Sequence, residues 1–330
     1  MNNRRSARWK ILLLDNIIAL LLILLIVALW ITTDKFMTLT NWMNILKAVA
    51  LKGVIAMGMT MVIIAAQIDL SISSLVAISG VIAAFFCEKL PAATGISLNM
   101  AAIIGIFVAL LFAVLVGLFH GFAQAKFGMP AFIITLASQL FLYGLAGIIC
   151  GGFPIANKMP TWFNVIGTGR IGFIPIPVLI LIAVFLIAFF IMKYTEIGRA
   201  IYAVGGNVEA ARLNGINVMK TEMFCFVSTA LLASLAGFMN SAQVLQATFN
   251  FGRGWETDVI SAVVIGGTAM TGGIGTMTGT LLGVIFIGVI ANGMTLLDLS
   301  VYMQYVVRGA LLFGAVLLSL YLPRLKQKIT

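Results

Sequence analysis

Residues 98–120 read LNMAAIIGIFVALLFAVLVGLFH, a run of 23 residues without Asp, Glu, Lys or Arg. An α-helix needs roughly 20 mainly apolar residues to cross the hydrocarbon core of a bilayer. The run meets that length. We therefore interpret 98–120 as a membrane-spanning helix.

The composition of the whole chain also indicates that most of it lies in lipid. Of the 330 residues, 62% are hydrophobic and 9% are charged, and the mean hydropathy is +1.15. Globular proteins carry roughly 25% charged residues, and about a third of that density would leave large apolar patches in water. This excludes a soluble globular fold, a disordered tail and a nucleic-acid binder, despite the net charge of +10. Cys87, Cys150 and Cys225 lie far apart beside apolar runs, which is typical of buried small side chains and not of a disulfide scaffold.

Ten apolar runs of about this length predict an all-α, polytopic membrane protein with about ten transmembrane helices. The runs at 45–66 and 257–271 are interrupted or short. The predicted spans are 11–31, 45–66, 70–88, 98–120, 128–150, 174–193, 222–243, 257–271, 276–294 and 302–322.

The distribution of Lys and Arg predicts the orientation, because cytoplasmic loops carry an excess of both. With the N-terminus inside, twelve fall on the cytoplasmic side and five on the other, and three lie within spans. The bias places the two termini in the cytoplasm, which requires an even number of spans, and ten spans agree with this. The expected organisation is a cytoplasmic tail at 1–10, a single transmembrane domain at 11–322 and a second tail at 323–330.

A carboxylate lies between the second and third spans. Asp69 is part of AAQIDLSISS, with Gln67, Ser71 and Ser73 beside it. An acid at the bilayer centre costs roughly 2.5–3.5 kcal/mol, so Asp69 is expected at the interface or in a polar interior. One interpretation is a short turn in which Asp69 caps the third helix. The other is a helix broken near 65–74 whose polar atoms line a solute path.

The segment 265–283, IGGTAMTGGIGTMTGTLLG, is rich in glycine. Glycines at 275, 279 and 283 form a flat stripe for close helix packing, whereas paired glycines tend to end helices. We therefore expect a broken or re-entrant segment near 266–276, with Gly267, Thr268, Gly272 and Gly273 as candidate pathway residues. The chain contains no Gly-Lys-Ser or Gly-Lys-Thr, so a phosphate-binding loop that hydrolyses ATP is not expected.

The longest cytoplasmic loop, 194–221, contains signals for a short helix. Asn207 is a favourable N-cap and Gly215 suits the left-handed position after the helix. The pattern predicts a two-turn helix from Val208 to Asn214 between glycine turns. Its spacing fits either a helix resting on its own protein or a docking element for a cytoplasmic partner.

Three stretches resemble the permease subunits of bacterial ATP-binding-cassette sugar importers, the ribose, xylose, galactose and autoinducer-2 group. The loop matches through Gly198-Arg199, Ala203-Val204-Gly205-Gly206-Asn207, Ala210-Ala211 and Gly215-Ile216-Asn217. Gly266 to Gly283 matches the pattern GGTxxxGGxGxxxGTxxG at every glycine. Ile68-Asp69-Leu70-Ser71 matches a GGIDLSVGS-like stretch, although Ala65, Ala66 and Gln67 replace its glycines.

The resemblance implies that the chain is not an enzyme but an inner-membrane permease subunit. Its implied partners are a cytoplasmic ATPase, an extracytoplasmic sugar-binding protein and a second permease subunit, and the implied solute is a neutral monosaccharide such as ribose. No cofactor or metal is expected. The residues to which the resemblance assigns ATPase coupling are Glu196, Gly198, Arg199, Gly205, Gly206, Asn207, Glu209, Ala210, Ala211, Arg212 and Gly215.

Several alternatives stay open. An ion-coupled secondary transporter would use Asp69 as its proton or ion site, and a related permease would carry branched-chain amino acids. A membrane scaffold without a solute path is a third possibility. Gln304 and Arg308 share a face of the tenth span; Gln304 is a candidate pathway residue, and Arg308 either extends towards the membrane surface or lines a cavity. His120, the only histidine, is interpreted as an interfacial residue and not as a metal ligand.

Overall fold

The structure, a computed structural model, describes residues 17–329. The predicted tail at 1–10 and the first residues of the first predicted span lie outside the described residues. Within 17–329 the chain forms thirteen α-helices and four strands of two residues each. The helices are α1 Ile17–Thr32, α2 Leu39–Ile64, α3 Ile72–Thr94, α4 Leu98–Phe127, α5 Ala131–Ile149, α6 Thr161–Thr168, α7 Ile176–Tyr194, α8 Glu196–Gly206, α9 Val208–Leu213, α10 Val218–Val244, α11 Trp255–Ile265, α12 Met277–Leu296 and α13 Val301–Ile329.

The all-α polytopic fold is confirmed, since each predicted span coincides with a helix. Among the described residues, seven helices are long and apolar enough to cross a membrane: α2, α3, α4, α5, α7, α10 and α12. The clearest difference is α11, which ends at Ile265 instead of near 271. Gly267 follows it with φ +91°, a left-handed conformation that ends helices and favours glycine.

Helix α10 packs closely against the neighbouring long helices. It contacts α4 at two glycines, because a Cβ on Gly121 would lie 2.5 Å from Met223 Cα and one on Gly117 would lie 2.6 Å from Val227 Cα. Without a hydrophobic driving force between helices in lipid, such small residues let backbones approach and gain van der Waals contact. The core of the protein is therefore built around α10.

Both predicted interruptions are confirmed. Residues 65–71 separate α2 from α3, and residues 266–276 separate α11 from α12. The first interruption runs back along α10, since Gln67 contacts Glu222 and Val76 of α3 packs against Gly237.

Two small antiparallel sheets connect the segments between helices. β1 (Ile155–Ala156) pairs with β4 (Gln246–Ala247), and β2 (Arg170–Ile171) pairs with β3 (Ile174–Pro175). The first pairing joins the connection before α6 to the connection after α10. Both therefore lie at the same end of α10, which is the end predicted to face away from the cytoplasm.

The α4–α10 contact predicts a sensitivity to a single methyl group. Gly121→Ala should lower the free energy of unfolding by about 1–3 kcal/mol, because its Cβ meets backbone that must shift. Gly144→Ala, on an exposed face of α5 with nothing within 4 Å of the new Cβ, is the control. It should leave stability unchanged or raise it by about 0.5–1 kcal/mol through helix propensity. Thermal unfolding of the two purified variants in detergent measures the difference, and equal midpoints would contradict the packing described.

Candidate functional site

The connection between α2 and α3, residues 65–71, contains a fully buried carboxylate, that of Asp69. Asp69 Oδ1 accepts hydrogen bonds from the Ser71 backbone N–H at 2.9 Å and from Ser71 Oγ at 2.6 Å. Its second oxygen, Oδ2, has no partner among the described residues. Ser71 itself is the N-cap residue of α3. The segment is thus a broken-helix connection within which Asp69 orders the entry to α3.

Helix α5 supports this segment from the other side. The Thr135 hydroxyl lies 3.1 Å from the Leu70 N–H, which donates to it, and 3.3 Å from the Ile68 carbonyl. Gln139, one turn further along α5, donates to Ser73 Oγ at 2.8 Å. These bonds supply partners for backbone groups that lipid cannot satisfy.

The connection from α10 to α11 approaches the same place. Gly252 has φ +76°, and a Cβ there would lie 2.6 Å from the Ser73 carbonyl oxygen. The Arg253 guanidinium lies 5.3 Å from the centre of the Tyr143 ring, a cation–π distance. Glu256 interacts electrostatically with the same tyrosine. We name the resulting cluster the polar junction; it comprises Asp69, Ser71, Ser73, Thr135, Gln139, Tyr143, Arg253 and Glu256.

The two interruptions contact each other. The Gly273 N–H, in the second interruption, donates to the carbonyl of Ile64, the last residue of α2, at 2.8 Å. Gly272 is so close to the first interruption that a Cβ on it would lie 2.6 Å from Ala66 Cβ. Its φ of +83° also favours glycine. Thr268 is buried beside this contact, and its hydroxyl has no partner within the described part of the chain.

The C-terminal half of α8 covers this contact. A Cβ on Gly205 would overlap the Ile64 carbonyl and lie 2.8 Å from Gly273 N. The Tyr202 hydroxyl donates to the Gly275 carbonyl at 2.8 Å. Burial raises the pKa of Tyr202 above its ordinary value, which keeps its hydroxyl protonated and able to donate. One helix of the loop at 194–221, which is predicted to be cytoplasmic, therefore contacts both interruptions.

Helix α9 confirms the predicted caps. The Asn207 side chain accepts from the Ala210 N–H at 2.9 Å, and Gly215 has φ +80°. The helix ends at Leu213, one residue before the predicted end. The prediction was wrong about Gly205 and Gly206, which do not form a turn but complete the 11-residue helix α8.

The predicted coupling residues divide into two sets. Gly198, Gly205 and Ala211 are buried against the rest of the protein. The others lie at the surface, including Glu209 and Arg212, whose side chains form an ion pair at 3.1 Å while 74% and 62% exposed. The exposed set comprises Glu196, Arg199, Gly206, Asn207, Glu209, Ala210, Arg212 and Gly215.

The predicted pathway residues fall into three places. The polar junction contains Asp69, Ser71 and Ser73. Gln67 precedes them in the connection between α2 and α3. Gly267, Thr268, Gly272 and Gly273 belong to the second interruption, at the contact that α8 covers. Gln304 lies apart on α13, where its amide donates to the Leu299 carbonyl at 3.2 Å.

Sequence reasoning missed a buried ion cluster. Lys52 Nζ of α2 is 2.5 Å from Asp258 Oδ2 of α11, and Arg308 Nε of α13 is 3.6 Å from Asp258 Oδ1. Asp258 and Arg308 also line a small cavity between α11, α12 and α13. A signal was present, because two of the three cations inside predicted spans, Lys52 and Arg308, need a counter-ion away from water. Arg308 thus lies towards Asp258 of α11, with its side chain 26% exposed.

His120, which was interpreted as an interfacial residue, is fully buried within the protein. Its Nε2 lies 2.8 Å from Ser138 Oγ, and its ring stacks edge-on against Phe226. Among residues 17–329, His, Cys, Asp and Glu form no group of three or more that could hold a metal ion.

Comparisons with known proteins agree with this architecture. A family model described as the permease component of the branched-chain amino acid transport system matches residues 41–316. The chain is 38% identical to the ribose import permease protein RbsC of Escherichia coli (strain K12) over 307 residues, 92% of each chain. It is 34% identical to RbsC of Bacillus subtilis (strain 168) over 90% of each chain. No solved structure matches.

A third relative is named for a different sugar. The L-arabinose ABC transporter permease protein AraH of Azospirillum brasilense is 33% identical over 96% of this chain and 90% of its own. With its apolar helices, the chain is a multi-pass protein of the inner membrane. It belongs to the permease-component family of ATP-binding-cassette transporters that contains these sugar permeases, and it is a transporter subunit and not an enzyme.

Proposed function

We propose that the chain forms the membrane pathway of an ATP-binding-cassette importer for a monosaccharide, ribose or a related sugar. The observation that carries the proposal is the contact of α8 with both helix interruptions. A cytoplasmic ATPase that moves this helix would displace the two segments at once. The transported sugar would arrive from an extracytoplasmic binding protein.

The coupling step follows from the two faces of the loop. The exposed face of α9, with Glu209 and Arg212, is available to an ATPase, while Gly205 of α8 lies against the Ile64 carbonyl. Nucleotide drives transport only if the ATPase binds one arrangement of this loop better than another. Gly205 of α8 packs directly against Ile64 and Gly273. A displacement of α8 would therefore also disturb the hydrogen bond between Gly273 and Ile64.

The chemistry of the polar junction supports a polyhydroxylated solute. Ser, Thr, Gln and Tyr side chains donate and accept, and carboxylate oxygens accept from hydroxyl groups. Arg253 and Glu256 carry opposite charges, so these two residues add no net charge. The junction is richer in charge than the sequence suggested, but it has the donors and acceptors that a sugar requires. The binding protein would supply the affinity for the sugar, and the permease would bind the sugar weakly and release it.

The remaining parts of the proposal concern assembly. A second permease subunit, identical or related, would complete the pathway, and two ATPases would bind the cytoplasmic loops. Both termini would lie in the cytoplasm, as the excess of Lys and Arg indicates. Crosslinking that placed 205–215 on the far side of the bilayer would overturn this arrangement.

A branched-chain amino acid is the second candidate solute, because the matching family model is described by that transport system. The two solutes differ in charge, since an amino acid is a zwitterion and ribose is neutral. Competition in vesicles separates them: unlabelled ribose should reduce ATP-driven uptake of labelled ribose, and leucine should not. Uptake of leucine in place of the sugar would favour the second candidate.

The α8 contact predicts unequal effects at adjacent glycines. Gly205→Ala should reduce ATP-driven sugar uptake by about tenfold or more, because its Cβ meets the Ile64 backbone and must displace α8. Gly206→Ala places its Cβ in open space and should reduce uptake much less. Uptake is measured in vesicles that contain the permease with its ATPase and binding protein.

Co-purification of the ATPase separates coupling from folding in this comparison. Both variants should retain the ATPase if the exposed face of α9 binds it. Equal uptake by the two variants would contradict the role assigned to the α8 contact.

Asp69 distinguishes an ATP-driven importer from an ion-coupled carrier. Asp69→Asn keeps an acceptor for the Ser71 N–H but cannot exchange a proton. We expect ATP-dependent uptake to persist at a rate reduced by about tenfold, the effect of weakening one hydrogen bond to a charged group. Uptake driven by an imposed proton gradient without nucleotide, and lost in the variant, would establish the carrier instead.

A further inference from the structure

Next to the polar junction, α4 and α10 contact each other through two layers of buried side chains. In one layer His120 of α4 stacks against Phe226 of α10, with Asp69 nearby. One helical turn away, Gln124 of α4 is within hydrogen-bonding reach of Glu222 of α10. Gln67, in the connection between α2 and α3, donates to Glu222 Oε1 at 3.4 Å.

Glu222 is a carboxyl group enclosed by uncharged partners. It is 1% exposed, and its two hydrogen-bonding neighbours, Gln67 and Gln124, are neutral amides. A buried carboxylate is normally paired with a cation, because transfer of an unpaired charge out of water is very costly. The fifth position of α10 is near a helix N-terminus, but that favourable effect is small and falls off within the first turn.

The ionisable groups around Glu222 do not supply that cation. Arg212 of α9 is largely exposed and ion-paired with Glu209, so water and its partner screen it. Lys126 of α4 lies over the rings of Phe122 and Phe127. On α10 itself, Lys220 is exposed and Cys225 is buried. The other ionisable groups on the neighbouring elements are Asp69 before α3, His120 on α4, and Glu196, Arg199 and Tyr202 on α8; residues 54–64 of α2 contain none.

Two orphaned oxygens indicate what is missing. Glu222 Oε2 and Gln124 Oε1 are both buried acceptors without a donor in the described structure. A proton on Glu222 Oε2 would let the carboxylic acid donate to Gln124. Turning the Gln124 amide over would offer an N–H instead, but two neutral donors still leave a full charge without a counter-ion.

We infer that Glu222 is a proton-binding site, occupied while the first interruption is packed against α10. Gln67 covers Glu222 and follows Ile64 by three residues, and Ile64 is held by Gly273 and Gly205. Opening of that contact would admit water and let Glu222 ionise. By linkage, proton release and opening favour each other, so alkaline pH would favour the open arrangement.

The test measures stability of the purified permease against pH, independently of what it transports. In the folded state Glu222 holds a proton that the unfolded chain releases above the ordinary glutamate pKa of about 4.3. Stability should therefore fall as pH rises. We expect the unfolding midpoint of the wild type to drop by about 2–4 °C per pH unit above about pH 4.5, and to level off by about pH 9, once Glu222 is ionised in the folded protein as well.

Two variants give the comparison. Glu222→Gln imitates the protonated acid in shape and hydrogen bonding, so the slope due to this site should disappear. Glu88→Gln, which removes a partly exposed carboxylate paired with Lys89, should retain the wild-type slope. A wild-type slope in Glu222→Gln would overturn the inference.

An infrared difference spectrum between the two pH limits provides a direct signature. The wild type should lose the C=O stretch of a protonated carboxylic acid on going to high pH, and Glu222→Gln should lack that change. The same band change in the variant would show that another group takes up the proton and would refute the assignment to Glu222.

Discussion

An unsatisfied backbone N–H or C=O inside a bilayer costs several kcal/mol, so a membrane helix can be broken only where protein atoms complete the missing hydrogen bonds. This chain breaks its helices at 65–71 and 266–276, and each interruption uses its surroundings in this way. In the first interruption, the Leu70 N–H donates to the hydroxyl of Thr135 on α5. In the second, the Gly273 N–H donates to the carbonyl of Ile64 at the end of α2. The remainder of the architecture depends on this mutual satisfaction.

The same constraint explains why the loop at 194–221, in the proposed coupling role, would act on the membrane interior. Gly205 lies against the carbonyl of Ile64, and Tyr202 donates to the carbonyl of Gly275, so α8 is part of the packing of both interruptions. A helix that merely rested on the surface would have no such backbone contacts. The absence of a Cβ at residue 205 is what permits the approach.

Two buried carboxyl groups inside the bundle have different surroundings. Asp258 lies between Lys52 and Arg308, which joins α2, α11 and α13 by ion pairs in a region where unpaired charges are costly. Glu222 has amides in place of cations. The first arrangement is a fixed link between three helices, whereas the second is sensitive to any motion that admits water.

The sequence by itself determined the features that depend on neighbouring residues: the ten apolar runs, the two interruptions, and the helix that begins after Asn207 and ends before Gly215. Apolar length, paired glycines and capping side chains act over a few positions, so they can be recognised locally. Only the tertiary structure decided that the two interruptions meet beneath α8, that His120 is buried, and that Lys52 pairs with Asp258. Those outcomes join residues more than 200 positions apart, as Lys52 and Asp258 are at 206, and no local pattern specifies which distant groups will satisfy each other once water is excluded.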